Sequence, residues 1–174
     1  MVKISDLDTL ISAARLLHDK NAPFHYVLAG DGELMTQLAE SVKVNGLQGV
    51  VSFLGRINSD QMPTLLHEAA IYITTSLSDG SSLALLEAMA CGAFPIATDI
   101  PANSEWIEHG KNGFLFCPGS PTELASSIQK AWVNLDLRNE AAKINWDIIQ
   151  ERGNYQENMQ LIEQSFITLI KPRE

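Results

Sequence analysis

Two carboxylates frame the stretch of this chain best suited to chemistry. Residues 78–92 read S-D-G-S-S-L-A-L-L-E-A-M-A-C-G, with Asp79 and Glu87 flanking a loop of small residues and the start of a helix. Asp79-Gly80-Ser81-Ser82 opens a run of strong helix formers, Leu83 to Ala90. Such a loop leaves backbone N–H groups unpaired at the positive end of a helix, a seat for phosphate. With the helix starting near Ser81, Glu87 lies roughly 9 Å down its axis at about 1.5 Å of rise per residue. An anion at the mouth and a carboxylate further in suit an elongated ligand carrying both phosphate and hydroxyl groups. A nucleotide sugar is such a ligand.

The elements that must position this stretch follow from the rest of the chain. Leu7, Leu10, Ile11, Ala14 and Leu17 recur at helical spacing to about Asp19, behind a capping box with Ser5 as N-cap and Asp8 three residues on. Asp6-Leu7-Asp8 also spells D-x-D, but in a first helical turn, which favours negative charge without any metal. Phe24–Ala29 is a strand, and Gly30-Asp31-Gly32 turns it into a helix from Glu33 to about Val44. That G-x-G serves either a turn needing positive φ or a ligand site.

Further strands are expected over 49–54, 70–75, 93–98 and 113–117, with helices at 60–69, 83–90, 122–134, 137–152 and 155–170 and a short one carrying Glu105. Strand–helix alternation with short turns predicts an α/β fold, a Rossmann-like open parallel sheet with helices on both faces. Ligands in such sheets bind beyond the carboxyl ends of the strands, where the Gly30, Gly55 and Asp79 turns converge. Met1 to Lys3 carry no hydrophobic first strand of the kind an open α/β sheet expects.

Composition narrows the function. At 174 residues, 45% hydrophobic and 19% charged, the chain is an ordinary globular α/β sequence of one domain. A net charge of −9 argues against nucleic acid as a partner but not against one small phosphorylated ligand. No apolar run reaches the length of a membrane span, and no basic, apolar leader opens the chain, so the expected location is cytoplasmic, peripheral at a membrane at most. Cys91 and Cys117 read as reduced, mostly buried thiols without metal-ligand spacing.

Taken together, the motifs resemble the GT-B type glycosyltransferases of the large retaining family 4. The D/E-x7-E pair with L-L-E-A-M-A-C-G at 79–92 is similar to that family's donor-site signature. In the family's order come A-G-D-G-E at 29–33, V-S-F-L-G at 51–55, A-I-Y-I-T-T-S at 70–76 and P-I-A-T-D at 95–99. Glu105, G-K-N-G-F-L-F at 110–116, P-T-E-L-A at 121–125, and Asn158-Met159 with Phe166 continue it. The resemblance covers nearly the whole chain and implies the C-terminal, donor-binding half of a GT-B architecture, its last helix (154–171) of the crossover type.

The resemblance also implies roles. Glu87 would hold the ribose hydroxyls of a nucleoside diphosphate sugar, and Asp79 hydroxyls of the transferred sugar. The backbone at Gly80, Ser81, Ser82 and Leu83 would receive sugar and diphosphate oxygens. Lys3 would stabilise the leaving diphosphate, Arg56 and Ile57 would border the base, and Gly30 and Gly32 would line the donor site. No metal or other cofactor is implied. Three departures stand out: Asp79 replaces the usual longer glutamate, with Gly80-Ser81-Ser82 after it in place of glycine-phenylalanine-glycine. The family's arginine, a few residues before the lysine, would fall upstream of Met1, and the first strand and N-terminal acceptor domain are absent. The expected reaction is retaining transfer of a hexose from an NDP-sugar to an acceptor hydroxyl in glycan or polysaccharide biosynthesis, with the isolated domain inactive. A non-catalytic nucleotide-binding or interaction module, or half of an NDP-sugar epimerase, shares the same residues.

The remaining candidates read as structure. Leu83, Leu85, Leu86 and Met89 are expected in the core, and Trp106, Trp132 and Trp146 in packing. His18, His25, His67 and His109 sit at surfaces or helix ends.

Overall fold

The computed structural model describes residues 5–32, 34–80 and 82–153. Helices and strands alternate: α1 Leu7–His18, β1 Tyr26–Ala29, α2 Met35–Val44, β2 Val51–Gly55, α3 Met62–Glu68 and β3 Ile71–Thr74. Then come α4 Leu83–Ala90, β4 Phe94–Thr98, α5 Pro101–Ser104, β5 Phe114–Phe116, α6 Pro121–Val133 and α7 Leu135–Arg152. The helix expected over 154–171, Glu33 at the expected start of α2, Lys3 and Ser81 lie outside the described residues.

Among the described residues every strand pair is parallel. β1 pairs with β2, Tyr26 opposite Val51; β3 pairs with β4, Ile71 opposite Phe94; β4 pairs with β5, Ile96 opposite Phe114. β4, F-P-I-A-T, is buried along its whole length. A strand covered on both faces reads as a continuous apolar run, not an alternation.

The first helix fixes how the two strand groups are oriented. α1 departs from the carboxyl end of β3, where the Asp6 amide donates to the Thr75 carbonyl at 2.9 Å and Ser5 bridges Ser76. Its last turn reaches the start of β1, with Leu17 and His18 beside Phe24 and Tyr26. All five strands therefore point the same way, and their carboxyl turns share one rim. The chain builds β1 and β2 in one direction and then crosses to β3, β4 and β5. That reversal lies between β1 and β3, where open α/β sheets bind ligands.

Helices cover both faces. Leu10, Ala14 and Leu17 of α1 meet Leu124 and Ile128 of α6 over Phe94, Ile96, Phe114 and Phe116. Each fully buried large side chain here contributes about 1.5–3 kcal/mol relative to exposure. On the other face Leu85 and Met89 of α4 pack with Ala97, Ile107 and the α7 residues Ile148 and Ile149.

Four expectations are corrected. The N-cap of α1 is Asp6, not Ser5: the Asp6 carboxylate accepts from the Thr9 amide and hydroxyl, while Ser5 is engaged by its bridge to Ser76. Leu83 is 66% exposed, because the first turn of α4 projects onto the rim rather than into the core. Trp146 is 53% exposed on the outer face of α7 and does not serve as core packing, although Trp132 meets Phe24 edge-on. Cys117 is exposed just after β5, and Cys91 is only half-buried.

Candidate functional site at the carboxyl rim

Helix α4 begins at Leu83, where its run of helix formers begins, with Ser82 in the N-cap position. Four residues separate Leu83 from Glu87, so the carboxylate sits about 6 Å into the helix at about 1.5 Å per residue. A serine at this position usually turns its hydroxyl back onto the first-turn amides. Here it does not cap them. The Ser82 hydroxyl lies 2.6 Å from Asn103 Oδ1 and 3.3 Å from Asp79 Oδ2, so its single proton goes to the closer asparagine oxygen. Ser82 therefore gives the mouth of α4 no side-chain cap, an arrangement that an external anion can complete.

A buried network holds that mouth in place. Asn103 is fully buried in α5, and its Nδ2 donates to the Thr98 carbonyl at 2.9 Å and the Thr98 hydroxyl oxygen at 3.2 Å. The Thr98 hydroxyl in turn donates to the Ser76 carbonyl. The loop between β3 and α4 is thus tied near both ends, at Ser76 and Ser82, to the end of β4 and to α5. Sequence reasoning singled out neither Asn103 nor Thr98. The available signal is a poor helix former, asparagine, placed inside the short helix P-A-N-S.

Asp79 and Glu87 are both exposed. Their charges converge on Tyr72 of β3, whose hydroxyl is pushed up to about 12, first by burial and then by Asp79 and Glu87, against a hydrogen bond to Thr74. The Cys91 thiol is also raised, by burial and then by Glu87. Glu87 lines a cavity of about 710 Å³ that it shares with Tyr72, Thr74 and Ser76 of the β3 side.

The glycine turns lie where the sequence puts them. The Gly30 amide donates to the Gly55 carbonyl at 2.8 Å, tying the turn after β1 to the end of β2. Gly30 has φ +135° and Gly55 φ +66°, so a side chain at either would be strained. Gly32 follows in the same turn and its carbonyl accepts from the Met35 amide at the start of α2. Arg56, exposed, and Ile57, half-buried, follow β2 on the far side of β1 from the Asp79 loop. Gly80 is exposed with open space where a Cβ would sit. Glu105 ends α5 and is engaged by Arg152 at 3.3 Å, so it braces α7 rather than facing the rim loop. All four histidines are exposed. Among the described residues no cluster of three metal-ligating side chains occurs. No helix there is long and apolar enough to cross a membrane.

Comparison with known proteins adds the following. The family model described as "Glycosyl transferases group 1" matches residues 2–145. The amylovoran biosynthesis glycosyltransferase AmsK of Erwinia amylovora is 30% identical over 128 residues, 70% of this chain and 31% of that protein. The structure of Anabaena HepE in complex with UDP-glucose superposes with a TM-score of 0.86 at 26% identity, over 97% of this chain and 46% of that one. The C-terminal domain of a group 1 glycosyl transferase, LpcC of Francisella tularensis, gives a TM-score of 0.78 at 26% identity, covering 89% of this chain and 83% of that one. The chain spans about a third of the length of the curated relatives it matches.

Proposed function

The chain belongs to the glycosyl transferases group 1 family, and from that premise we propose that it is the donor-binding domain of a retaining GT-B glycosyltransferase. The reaction is transfer of a hexose from a nucleoside diphosphate sugar to an acceptor hydroxyl, in glycan or polysaccharide synthesis. One observation carries this reading: Ser82, the N-cap residue of α4, turns its hydroxyl inward to Asn103 instead of capping the helix, and Glu87 stands one turn behind it.

The chemistry follows from those positions. The bond between the anomeric carbon and the diphosphate oxygen breaks with its electron pair on that oxygen, a new bond to the acceptor oxygen forms, and the acceptor proton passes to the departing diphosphate. The barrier is the separation of a diphosphate anion from an oxocarbenium-like carbon. Amides at the mouth of α4, with Lys3, stabilise the departing anion by preorganised electrostatics. Glu87 accepts hydrogen bonds from ribose hydroxyls, Asp79 from the sugar, and Arg56 and Ile57 border the base. Gly30 and Gly32 let backbone approach the ligand. HepE with UDP-glucose and the amylovoran enzyme support a nucleotide-sugar donor and a polysaccharide role by likeness.

Half of the reaction's machinery belongs to an acceptor domain elsewhere in the longer polypeptide, so residues 1–174 alone bind donor without turnover. Titration with UDP-, GDP- and ADP-linked sugars should raise the melting temperature with the logarithm of ligand concentration. Glu87→Ala should remove the shift and keep the fold. Melting unaffected by every nucleotide sugar sinks the donor-site reading, and sugar transfer by the 174-residue chain sinks the division of labour.

A further inference from the structure

Alternate residues of a strand point to the same face of its sheet. Ile71 and Ile73 of β3 pack into the core beneath α1 and α6, so Tyr72, Thr74 and the following Ser76 turn toward α4. Their hydroxyls form a row that climbs the strand to the rim, where Thr74 Oγ1 donates to Ser76 Oγ at 3.2 Å. Ala84 and Glu87, one turn apart on α4, line the same cavity as this row. We infer that the Ser76 hydroxyl, set by Thr74, is a further ligand-binding group, an assignment that rests on the donor-site reading. With Glu87 it grips the ribose and selects nucleotide sugars whose ribose diol is intact.

The hydrogen bonds of Ser76 show what it has left to give. Its carbonyl accepts from the Thr98 hydroxyl, and its amide lies 3.5 Å from Thr74 Oγ1. Its Oγ accepts from Thr74, which leaves its own proton to donate. Among the described residues no oxygen accepts that proton. Glu87 likewise has no hydrogen bond or ion pair among them. An unused donor and an unused acceptor therefore border one cavity, with Ala84 and the half-buried Tyr72 ring as apolar surface beside them. Tyr72, at the inner end of the row, keeps its proton because burial and the charges of Asp79 and Glu87 oppose its loss. No phenolate competes for the Ser76 proton.

That pairing of groups selects the ligand. A carboxylate only accepts, whereas a serine hydroxyl can also donate. A vicinal diol matches both: each hydroxyl offers a proton to the carboxylate, and one hydroxyl oxygen takes the serine proton. A divalent cation calls for several oxygen acceptors, and no cluster of three metal-ligating side chains occurs among the described residues. An ammonium group would suit Glu87 but would set its own donors against the Ser76 proton. A deoxyribose lacks one of the two hydroxyls, so it leaves part of this pair without a partner once the ligand covers it. Sites built to bond a hydroxyl reject the analogue lacking it for that reason.

The test is calorimetric titration with the tightest-binding of UDP-, GDP- and ADP-glucose, alongside its 2′-deoxyribose and 3′-deoxyribose counterparts. The unaltered chain should bind the intact diol at least about tenfold more tightly than either counterpart. Ser76→Ala should weaken the intact donor by about three- to tenfold, the size of one hydrogen bond. Toward the counterpart lacking the oxygen that Ser76 meets, the same substitution should change affinity by less than about twofold. Ser76→Thr, which keeps the hydroxyl, should restore both affinity and discrimination. Melting temperatures establish that each variant is folded. Should Ser76→Ala fail to fold, Thr74→Val removes the group that sets Ser76 and should give the same pattern at smaller size. Equal weakening toward all three ligands overturns the role of Ser76, as does a Ser76→Ala chain that binds all three like the unaltered one. Binding by none of the three nucleotide sugars overturns the donor-site reading itself.

Discussion

Ser82 donates to Asn103 Oδ1 across 2.6 Å, linking the loop before α4 to the buried centre of α5, 21 residues away in sequence. The link diverts the hydroxyl of Ser82 from its usual capping task and leaves the helix mouth for another acceptor. Through Thr98 the same asparagine reaches the Ser76 carbonyl. One fully buried side chain thus fixes both ends of the loop that carries Asp79 and Gly80.

Removing that side chain should be costly. Asn103→Ala leaves the Ser82 hydroxyl and the Thr98 carbonyl without their buried partner, a penalty of about 1–3 kcal/mol for each such group. Urea denaturation should show a loss of that order, with Ser82→Ala costing less because serine can be truncated without stranding Thr98. In the double variant the two losses should fall short of additive, since both remove one network. Full additivity would mean that the two residues do not share it.

A second amide pair secures α7. Asn112 Nδ2 donates to Asn145 Oδ1 at 2.8 Å, and Asn145 Nδ2 returns to the Asn112 carbonyl at 3.0 Å, with both side chains buried. Asn145→Ala should destabilise by roughly 2–4 kcal/mol, combining a lost reciprocal pair with a cavity. Asn145→Asp should also destabilise, because a carboxylate cannot donate to the Asn112 carbonyl. Thermal melting of both variants, with nucleotide-sugar binding measured below the transition, separates a fold effect from a site effect.

Alkaline pH should weaken the fold through its tyrosines. Tyr72 is raised from its ordinary 10.0 to about 12, and burial raises Tyr26 as well. A raised folded value means the native state keeps a proton that the unfolded chain releases. The contribution is complete below pH 10 and is lost as pH rises toward 12, at about 1.4 kcal/mol per pH unit for each such group. Urea midpoints should be flat up to about pH 9 and fall above pH 10. Tyr72→Phe should fall less steeply over the same window, and an equal slope would show that its hydroxyl is not held protonated.

Much of this was legible in the sequence because local and global preferences agree. Helix α4 begins and ends on the expected residues, Leu83 and Ala90, between a loop of small residues and the Cys91-Gly92 stop. Strand–helix alternation alone pointed to a parallel sheet. What escaped depends on distant partners. Ser5 and Asp6 are both competent caps, and only the bridge from Ser5 to Ser76 decides between them. Leu83 looks like core by type, yet a helix that starts on a rim exposes its first turn. Asn103 has no periodic or charge signature, and its importance comes from Ser82 and Thr98, which the fold brings to it.

Two glycines separate packing from site chemistry. A Cβ on Gly113 would lie 2.8 Å from both the Pro95 carbonyl and its Cγ and 3.0 Å from Ile107, between two buried strands that cannot part without cost. Gly113→Ala should therefore destabilise by about 1–3 kcal/mol through overpacking. Gly80 has open space in the same direction, with nothing within 4 Å. Gly80→Ala should leave stability within about 0.5 kcal/mol, as surface changes away from special contacts do. Under the proposed donor role, its added methyl would stand beside the backbone that receives a sugar or phosphate oxygen. Calorimetric titration of Gly80→Ala with UDP-glucose should then show weakened binding at unchanged melting temperature, the reverse of Gly113→Ala. Unchanged affinity in a chain that binds UDP-glucose would move the ligand away from this loop, because a methyl group beside a bound diphosphate cannot go unnoticed.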